Sequence, residues 1–375
     1  MKKTATWKQR RVAKFRERKR LARMEMCPRK TSSRLKRRAR LKAVAPVKLH
    51  VTSTGKTIRR HELTPPDVLD LEGNYAETIK FLKNLRFATS RRGNFHIEMK
   101  GVKDISPAAA LLLVAECDRW RELTKSQWLR AESVSDWEPS VRRRLKEMGF
   151  FKVLNTRSPP DDPFVAGEDR YVPFLTGTRN PGAPAFKLQE EIEALGPSVA
   201  DPGALYEGLV EAMTNVAQHA YSSGKGEFGP KRWWISASVN EERHSMTVLV
   251  VDHGVGIAKT LPRSKVWERI RQAVPLEMLN DDAEIVLAAF TKGGEYKSQT
   301  GEEHRGKGLR ENIKGYVESH NSRGRLRVIT NRAGYTYSRN NNDEEEASFA
   351  VPVPFDGTFI EWVIEDYGQE RNENN

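Results

Sequence analysis

The 375-residue chain predicts an α/β protein of the α+β two-layer kind, with two folded regions behind a basic arm. Three observations carry that expectation. Residues 47–155 alternate strand-like and helix-like patterns, the order that builds a small layered α/β unit. Residues 186–365 join one long amphipathic helix to two strands, a long polar insertion and two hairpins, which predicts a second α/β unit. Charge sets the N-terminus apart from both. The first 50 residues hold twenty Lys and Arg against Glu17 and Glu25, a net of +18, whereas the whole chain is +14 and the remainder is therefore −4.

Like charges at that density repel one another, so residues 1–46 read as a disordered arm suited to a nucleic acid or another polyanion. Its aromatic residues are Trp7 and Phe15 alone, which limits base stacking. The longest mostly apolar run, Ala108 to Cys117 with Glu116 inside it, is far short of the roughly 20 residues a membrane helix needs. The arm also lacks the apolar stretch of a secretory signal. Cys27 and Cys117 have no CxxC partner, which excludes a disulfide framework and a cysteine-rich zinc site. A cytoplasmic protein without a membrane partner is expected.

Within the first region, residues 95–99 alternate like a strand, 106–120 read as a helix, 127–131 as a short strand, and 139–148 as a helix stopped by Gly149. Residues 156–170 (TRSPPDDPFVAGEDR) open a linker extending to 185. In the second region, Asp201 as N-cap and Pro202 at the first helical position start a helix running to about 221, with Leu205, Leu209, Met213 and Ala217 as its apolar stripe. Strands are expected at 233–239 and 246–252, then a long polar and helical insertion over 257–305. Two hairpins follow, 325–330 with 335–339 and 348–353 with 358–364, the second turning at Asp356-Gly357. Residues 339–346 (RNNNDEEE) and the tail 366–375 are expected to be mobile.

Three short elements carry chemistry. Glu211 and Asn215, four residues apart, share one helix face. There a carboxylate can orient or deprotonate water, and an amide oxygen can ligate Mg²⁺. Many solvated helices carry such a pair. In the run Val250 to Ile257 (VVDHGVGI), an apolar strand ends in Asp252, able to accept from an exocyclic amine, and Gly254 and Gly256 admit a ligand to bare backbone. A plain strand-to-turn transition has the same look. Gly306, Lys307, Gly308 and Leu309 precede a helical pattern and can offer backbone N–H groups to phosphate, or be a simple loop.

In this order and spacing the three together resemble the ATP-binding domain shared by DNA gyrase, heat-shock chaperones, histidine kinases and MutL proteins, the GHKL superfamily with its Bergerat fold. Glu211 to Asn215 (EAMTN) matches the N box, Asp252-x-Gly254-x-Gly256 the first glycine box, Gly306-x-Gly308-Leu309 the second, and Gly357-Thr358 the closing Gly-Thr pair. The run Glu211 to Tyr221 is most similar to the anti-sigma-factor serine kinases. The resemblance implies a mixed, mostly antiparallel sheet, with ATP and Mg²⁺ as cofactors. Glu211 would then be the catalytic carboxylate and Asn215 the metal ligand. Asp252 would accept from adenine N6, with Thr358 reaching the base through water and Gly254 and Gly256 giving room. Gly306, Lys307, Gly308 and Leu309 would serve the phosphates at the hinge of a lid over 259–305. Lys292 and Lys297 are further phosphate candidates, equally read as solvated lid lysines, and His219 fits the anti-sigma-like variant as well as a capping role.

The stretch Phe95 to Leu113, with Val141 to Leu154, resembles a STAS domain. That family's Asp-Ser-Ser-Gly pattern is kept here at Asp104 and Ser106 but not at Ile105 and Pro107. Helix capping by Ser106 is the better expectation than phosphorylation. Two motifs are decoys. Thr54-Gly55-Lys56-Thr57 lacks the first glycine of a P-loop, with His50 in its place. His61 to Pro65 imitates a phosphoacceptor box, but Pro65-Pro66 stops any helix there.

The expected function is an ATPase switch, in which nucleotide drives a conformational change or homodimerisation in a complex with a partner protein. The alternatives are a serine kinase acting on a STAS-type serine, and a non-hydrolysing, ATP-gated scaffold that holds nucleic acid through residues 1–46.

Overall fold

The computed structural model describes residues 39–51, 55–89, 95–124, 129–178, 181–196, 201–218, 232–263, 267–291, 308–319, 323–341 and 343–365. Most of the basic arm, the tail 366–375, and His219, Lys292, Lys297, Gly306 and Lys307 lie outside the described residues. In chain order the first region runs β1 (Val47–Val51), β2 (Thr57–Leu63), β3 (Val68–Leu69), α1 (Tyr75–Thr89), β4 (Phe95–Ile97), β5 (Asp104–Ile105), α2 (Pro107–Thr124), β6 (Leu129–Arg130), α3 (Pro139–Glu147) and α4 (Phe150–Val153). Its main sheet has the order β1-β2-β4-β6, antiparallel at β1/β2 and parallel elsewhere, while β3 pairs with β5.

Ser106 starts α2 as a cap, its Oγ accepting from the Ala109 amide at 3.3 Å, and Pro107 takes the first helical position. From Ala108 to Cys117 every side chain of α2 is buried. A helix apolar on nearly all sides, with Glu116 the one charged residue in that segment, must be covered on all sides, and here α2 lies between its own region and the sheet of the second.

That second region contains β7 (Arg170–Tyr171), β8 (Leu175–Gly177), α5 (Gly182–Glu193), α6 (Pro202–Gln218), β9 (Trp233–Asn240), β10 (Ser245–Asp252), α7 (Ile257–Thr260), α8 (Trp267–Ala273), α9 (Asp282–Thr291), a π-helical turn Leu309–Lys314, α10 (Gly315–Ser319), β11 (Gly324–Asn340) and β12 (Asp343–Glu365). The sheet order is β11-β12-β10-β9-β7, with β8 also on β9. Every described pairing in it is antiparallel rather than mixed.

Strand alternation divides the sheet into two faces. Met246, Val248, Val250, Ile360 and Trp362 point to the face covered by α5, α6 and α9, in one core with Leu205, Leu209 and Met213. Leu249, Val251, Trp234, Ile329 and Phe359 point the other way, into a core shared with Ile79, Leu112 and Cys117 of α1 and α2. The second region is two layers by itself, but the first region closes its open face, so the sheet is the middle of three layers.

Several sequence expectations need correction. Residues 39–44 form a helical turn, with Leu41 and Val44 against the core, Ala45 fully buried, and the Arg40 guanidinium 4.3 Å over the Phe87 ring. The end of the arm is therefore folded, held by its few apolar residues. The linker ends sooner than 185, because β7 and β8 already edge the second sheet and α5 starts at Gly182; strands of two and three residues leave no readable periodicity. Ala217 is exposed, and the stripe of α6 turns instead through Ala212 and Val216. The two expected hairpins are one long hairpin, in which Arg325–Thr330 pairs with Thr358–Val363 and Tyr335–Asn340 with Asp343–Ser348. Residues 339–341 and 343–346 form its exposed tip. Asp356-Gly357 is a bulge inside β12, where the register shifts between Thr330 and Asn331. Among the described residues, no helix is long and apolar enough to cross a membrane.

Candidate functional site

Asp201 caps α6, its Oδ1 accepting from the Ala204 amide at 3.0 Å. The buried stripe presses the helix onto the sheet and leaves Glu211 and Asn215 half-buried on its flank. Asn215 Nδ2 donates to Glu211 Oε1 at 3.1 Å. The donated amide leaves the Asn215 carbonyl oxygen as the group able to ligate a hard cation. Gly308 meets this pair directly: a Cβ there would lie 1.9 Å from Glu211 Oε1. One turn earlier, Gly208 lets the π-helical segment come close, since a Cβ at that position would lie 3.1 Å from the Asn312 carbonyl oxygen. Trp362 Nε1 holds the same segment by donating to the Ile313 carbonyl at 2.8 Å.

The second cluster sits where β10 ends. Asp252 is opposite Thr358 on β12 and Trp233 on β9, and alternation puts its side chain on the α6 face of the sheet. It is buried, receives the Gly254 amide on Oδ1 at 2.5 Å, and is hydrogen-bonded by the Thr358 hydroxyl. Burial pushes its carboxyl up to about 7, with the bonds from Gly254 and Thr358 opposing the rise. Gly357, at φ +116°, brings its Cα over the Asp252 carbonyl, where a Cβ would lie 1.9 Å from the oxygen.

The loop after Asp252 is pinned by residues the sequence did not single out. Thr330 Oγ1 accepts from the Ile257 amide at 2.8 Å and donates to the Gly357 carbonyl at 3.0 Å. Asn331, itself at φ +51°, donates through Nδ2 to the Val255 carbonyl at 2.7 Å. Gly256, at φ +87°, has no room for a side chain beside Asn331. A Thr-Asn pair interrupting the run Arg325 to Thr330 was the available signal, since Asn is favoured at positive φ.

Residues 259–305 are expected to form a lid. Up to Thr291 this stretch is a wall of the core: Ile285, Val286, Ala289 and Phe290 of α9 are buried, Phe290 stacks on Tyr335 at 4.2 Å, and Asp282 accepts from the Arg332 amide. Residues 292–307 lie outside the described residues. In the first region, His61 belongs to β2, stacked on Phe95 with Nδ1 2.8 Å from the Ala45 carbonyl oxygen, and no helix follows Gly55-Lys56. Among the described residues no three His, Cys, Asp or Glu side chains converge as a metal site. The structure thus gathers Glu211, Asn215, Gly308 and Leu309 at α6, and Asp252, Gly254, Gly256 and Thr358 at the end of β10. No known family model matches the chain, and no curated protein matches it.

Proposed function

We propose that the chain binds ATP between α6 and the end of β10 and works as a GHKL-type ATPase, a switch whose conformation or dimerisation follows the nucleotide. The carrying observation is that Asp252 and Thr358 point to the sheet face covered by α6, the helix that bears the hydrogen-bonded Glu211–Asn215 pair. A buried carboxylate is an acceptor suited to an exocyclic amine, and Gly254 beside it carries no side chain that would exclude a flat base. At the other end, Glu211 can hold an attacking water, and the Gly308 segment brings backbone to the same place.

The residues fit a Mg²⁺ ion of low protein coordination. The Asn215 carbonyl oxygen would hold it with phosphate oxygens and water, and it would offset phosphate charge when bound. The chain's own residues do the rest: Asp252 reads the base, Glu211 orients water, and the glycines let Glu211, Asn331 and the Asp252 carbonyl pack closely around the site. Chemistry of this kind rests on position and electrostatics rather than on covalent intermediates. The charge of residues 1–46 supports a role as a polyanion tether for the switch, in the manner of an ATP-gated scaffold. The serine-kinase reading has less support in this chain, because Ser106 is occupied as the cap of α2 and bonded to Asp70. Purified full-length protein should hydrolyse ATP in a Mg²⁺-dependent way that Glu211→Ala abolishes. Turnover no faster than that of Glu211→Ala would remove hydrolysis from the proposal.

A further inference from the structure

His253 sits between the base-reading Asp252 and Gly254, yet it faces away from the proposed nucleotide. Strand alternation turns it to the opposite face of the sheet, where it is buried against α2 with Nε2 3.3 Å from Glu116 Oε1. Glu116 is also buried, accepting from Arg86 Nε at 2.7 Å and from Arg119 Nε at 3.0 Å. Arg86 of α1 then reaches on to Asp356 at 3.3 Å, next to Gly357 and two residues before Thr358. A third hold is close by: Asp118 of α2 accepts from Trp234 Nε1 at 2.9 Å, and the Trp234 ring lies 4.8 Å from the His253 ring.

The first region therefore grips both strands that carry the base end of the site, each within two residues of a group assigned to adenine. We infer that Arg86 and Glu116 are positioning residues for the nucleotide site: through His253 and Asp356 they set the distance between Asp252 and Thr358, so that the first region controls nucleotide affinity. This inference rests on the ATP reading and adds its regulation. The cluster is built to act as one unit. Burial pushes the Glu116 carboxyl up, but Arg86, His253 and Arg119 outweigh it and hold the group well below the usual carboxylate range. Burial lowers His253 to about 3, against Glu116 and with Arg86 and Arg119, so the ring is neutral and meets Glu116 as a close polar contact at 3.3 Å. A chain of packed side chains with defined partners, joined here by the charge-assisted bonds of Arg86 and Arg119 to Glu116, is the physical route for coupling between sites. Linkage makes the effect reciprocal: a partner that shifts α1 or α2 changes nucleotide affinity, and nucleotide changes affinity for that partner by the same factor.

The test is titration of a fluorescent ATP analogue into the full-length chain and four variants, with thermal unfolding measured in parallel. Glu116→Gln keeps the side-chain shape and removes the charge. Asp356→Asn alters the outer end of the clamp at a more exposed site, and decides the matter should Glu116→Gln fail to fold. Both should weaken binding by about 5- to 20-fold. Glu72→Gln serves as the control for mere docking of the two regions, because Glu72 bridges Arg325 and Arg327 on the same interface but away from Asp252. It should leave affinity unchanged even if it lowers the melting temperature. Asp252→Asn tests the ATP reading itself and should weaken binding some 10- to 100-fold. Wild-type affinity in Glu116→Gln or Asp356→Asn, or equal weakening by Glu72→Gln, overturns the clamp while leaving the nucleotide site standing. A wild-type chain that binds no adenine nucleotide overturns both.

Discussion

Gly308→Ala places one methyl group against the proposed catalytic carboxylate. Gly308 has φ −58° and ψ −36°, ordinary helical values that alanine adopts freely, so the glycine is there for space and not for backbone freedom. The new Cβ would lie 1.9 Å from Oε1, 2.0 Å from Cδ and 2.6 Å from Cγ of Glu211. Non-bonded heavy atoms settle at about 3.5 Å, so the carboxylate must retreat by roughly 1.5 Å. It can do so by rotating, at the expense of its 3.1 Å bond from Asn215. Overpacking strain of about 1–3 kcal/mol is partly offset by alanine's advantage of up to ~1 kcal/mol over glycine in a helix. The net loss is then about 1–2 kcal/mol, a shift of a few degrees in melting temperature. Activity is far more sensitive: displacing a catalytic group by an ångström costs on the order of 100-fold in rate. Steady-state ATPase assays beside calorimetric unfolding should show turnover down about 100-fold in a protein that melts within roughly 5 °C of wild type. Unchanged turnover would refute the placement of Glu211, and an unfolded variant would refute the estimate of local strain.

Asp252 makes the chain sensitive to pH. Its folded carboxyl titrates at about 7, above the ordinary 3.8, so ionisation costs the fold stability increasingly between those values, and the cost persists at higher pH. Asp252→Asn should therefore raise the melting temperature at pH 8 and leave it nearly unchanged below about pH 4. Nucleotide affinity should run the other way, falling by up to about tenfold per unit below pH 7, because the ionised carboxylate is the stronger acceptor; flat affinity from pH 8 to 6 would contradict that role. Gly357→Ala should destabilise by about 2–5 kcal/mol in urea unfolding, since its φ of +116° and the fixed Asp252 carbonyl leave neither torsion nor space for a side chain. Loss below 1 kcal/mol would show that the bulge relaxes easily. Deleting residues 1–38 should abolish nucleic-acid retention at moderate salt, whereas retention that survives the deletion assigns it elsewhere.

What the sequence made legible follows the reach of its signals. Asp201-Pro202 marked the start of α6, and Val250 to Asp252 marked the end of β10, because capping and strand alternation are local. Asp356-Gly357 misled for the same reason. A strong turn dipeptide looks the same whether the chain reverses or bulges, and only the pairing of Thr330 with Thr358 shows that β12 continues. The Asn215–Glu211 bond could be anticipated from helical spacing, but the nearness of Gly308 could not, since it depends on packing across more than 90 residues. The apolar character of α2 from Ala108 to Ala115 is visible in the sequence; what it implied, a second sheet on the far side of α2, needed the tertiary fold. His253 was read only as a spacer in a glycine motif, because its partner Glu116 belongs to the other region.

The central claim, a nucleotide site with Asp252 at its base end, is tested most directly by isothermal titration of Mg-ATP into the full-length chain and into Asp252→Asn. Saturable binding of about one nucleotide per chain, weakened some 10- to 100-fold in a variant with an unchanged circular-dichroism spectrum, is the predicted result. No binding to the wild type, or equal binding to both proteins, would contradict it.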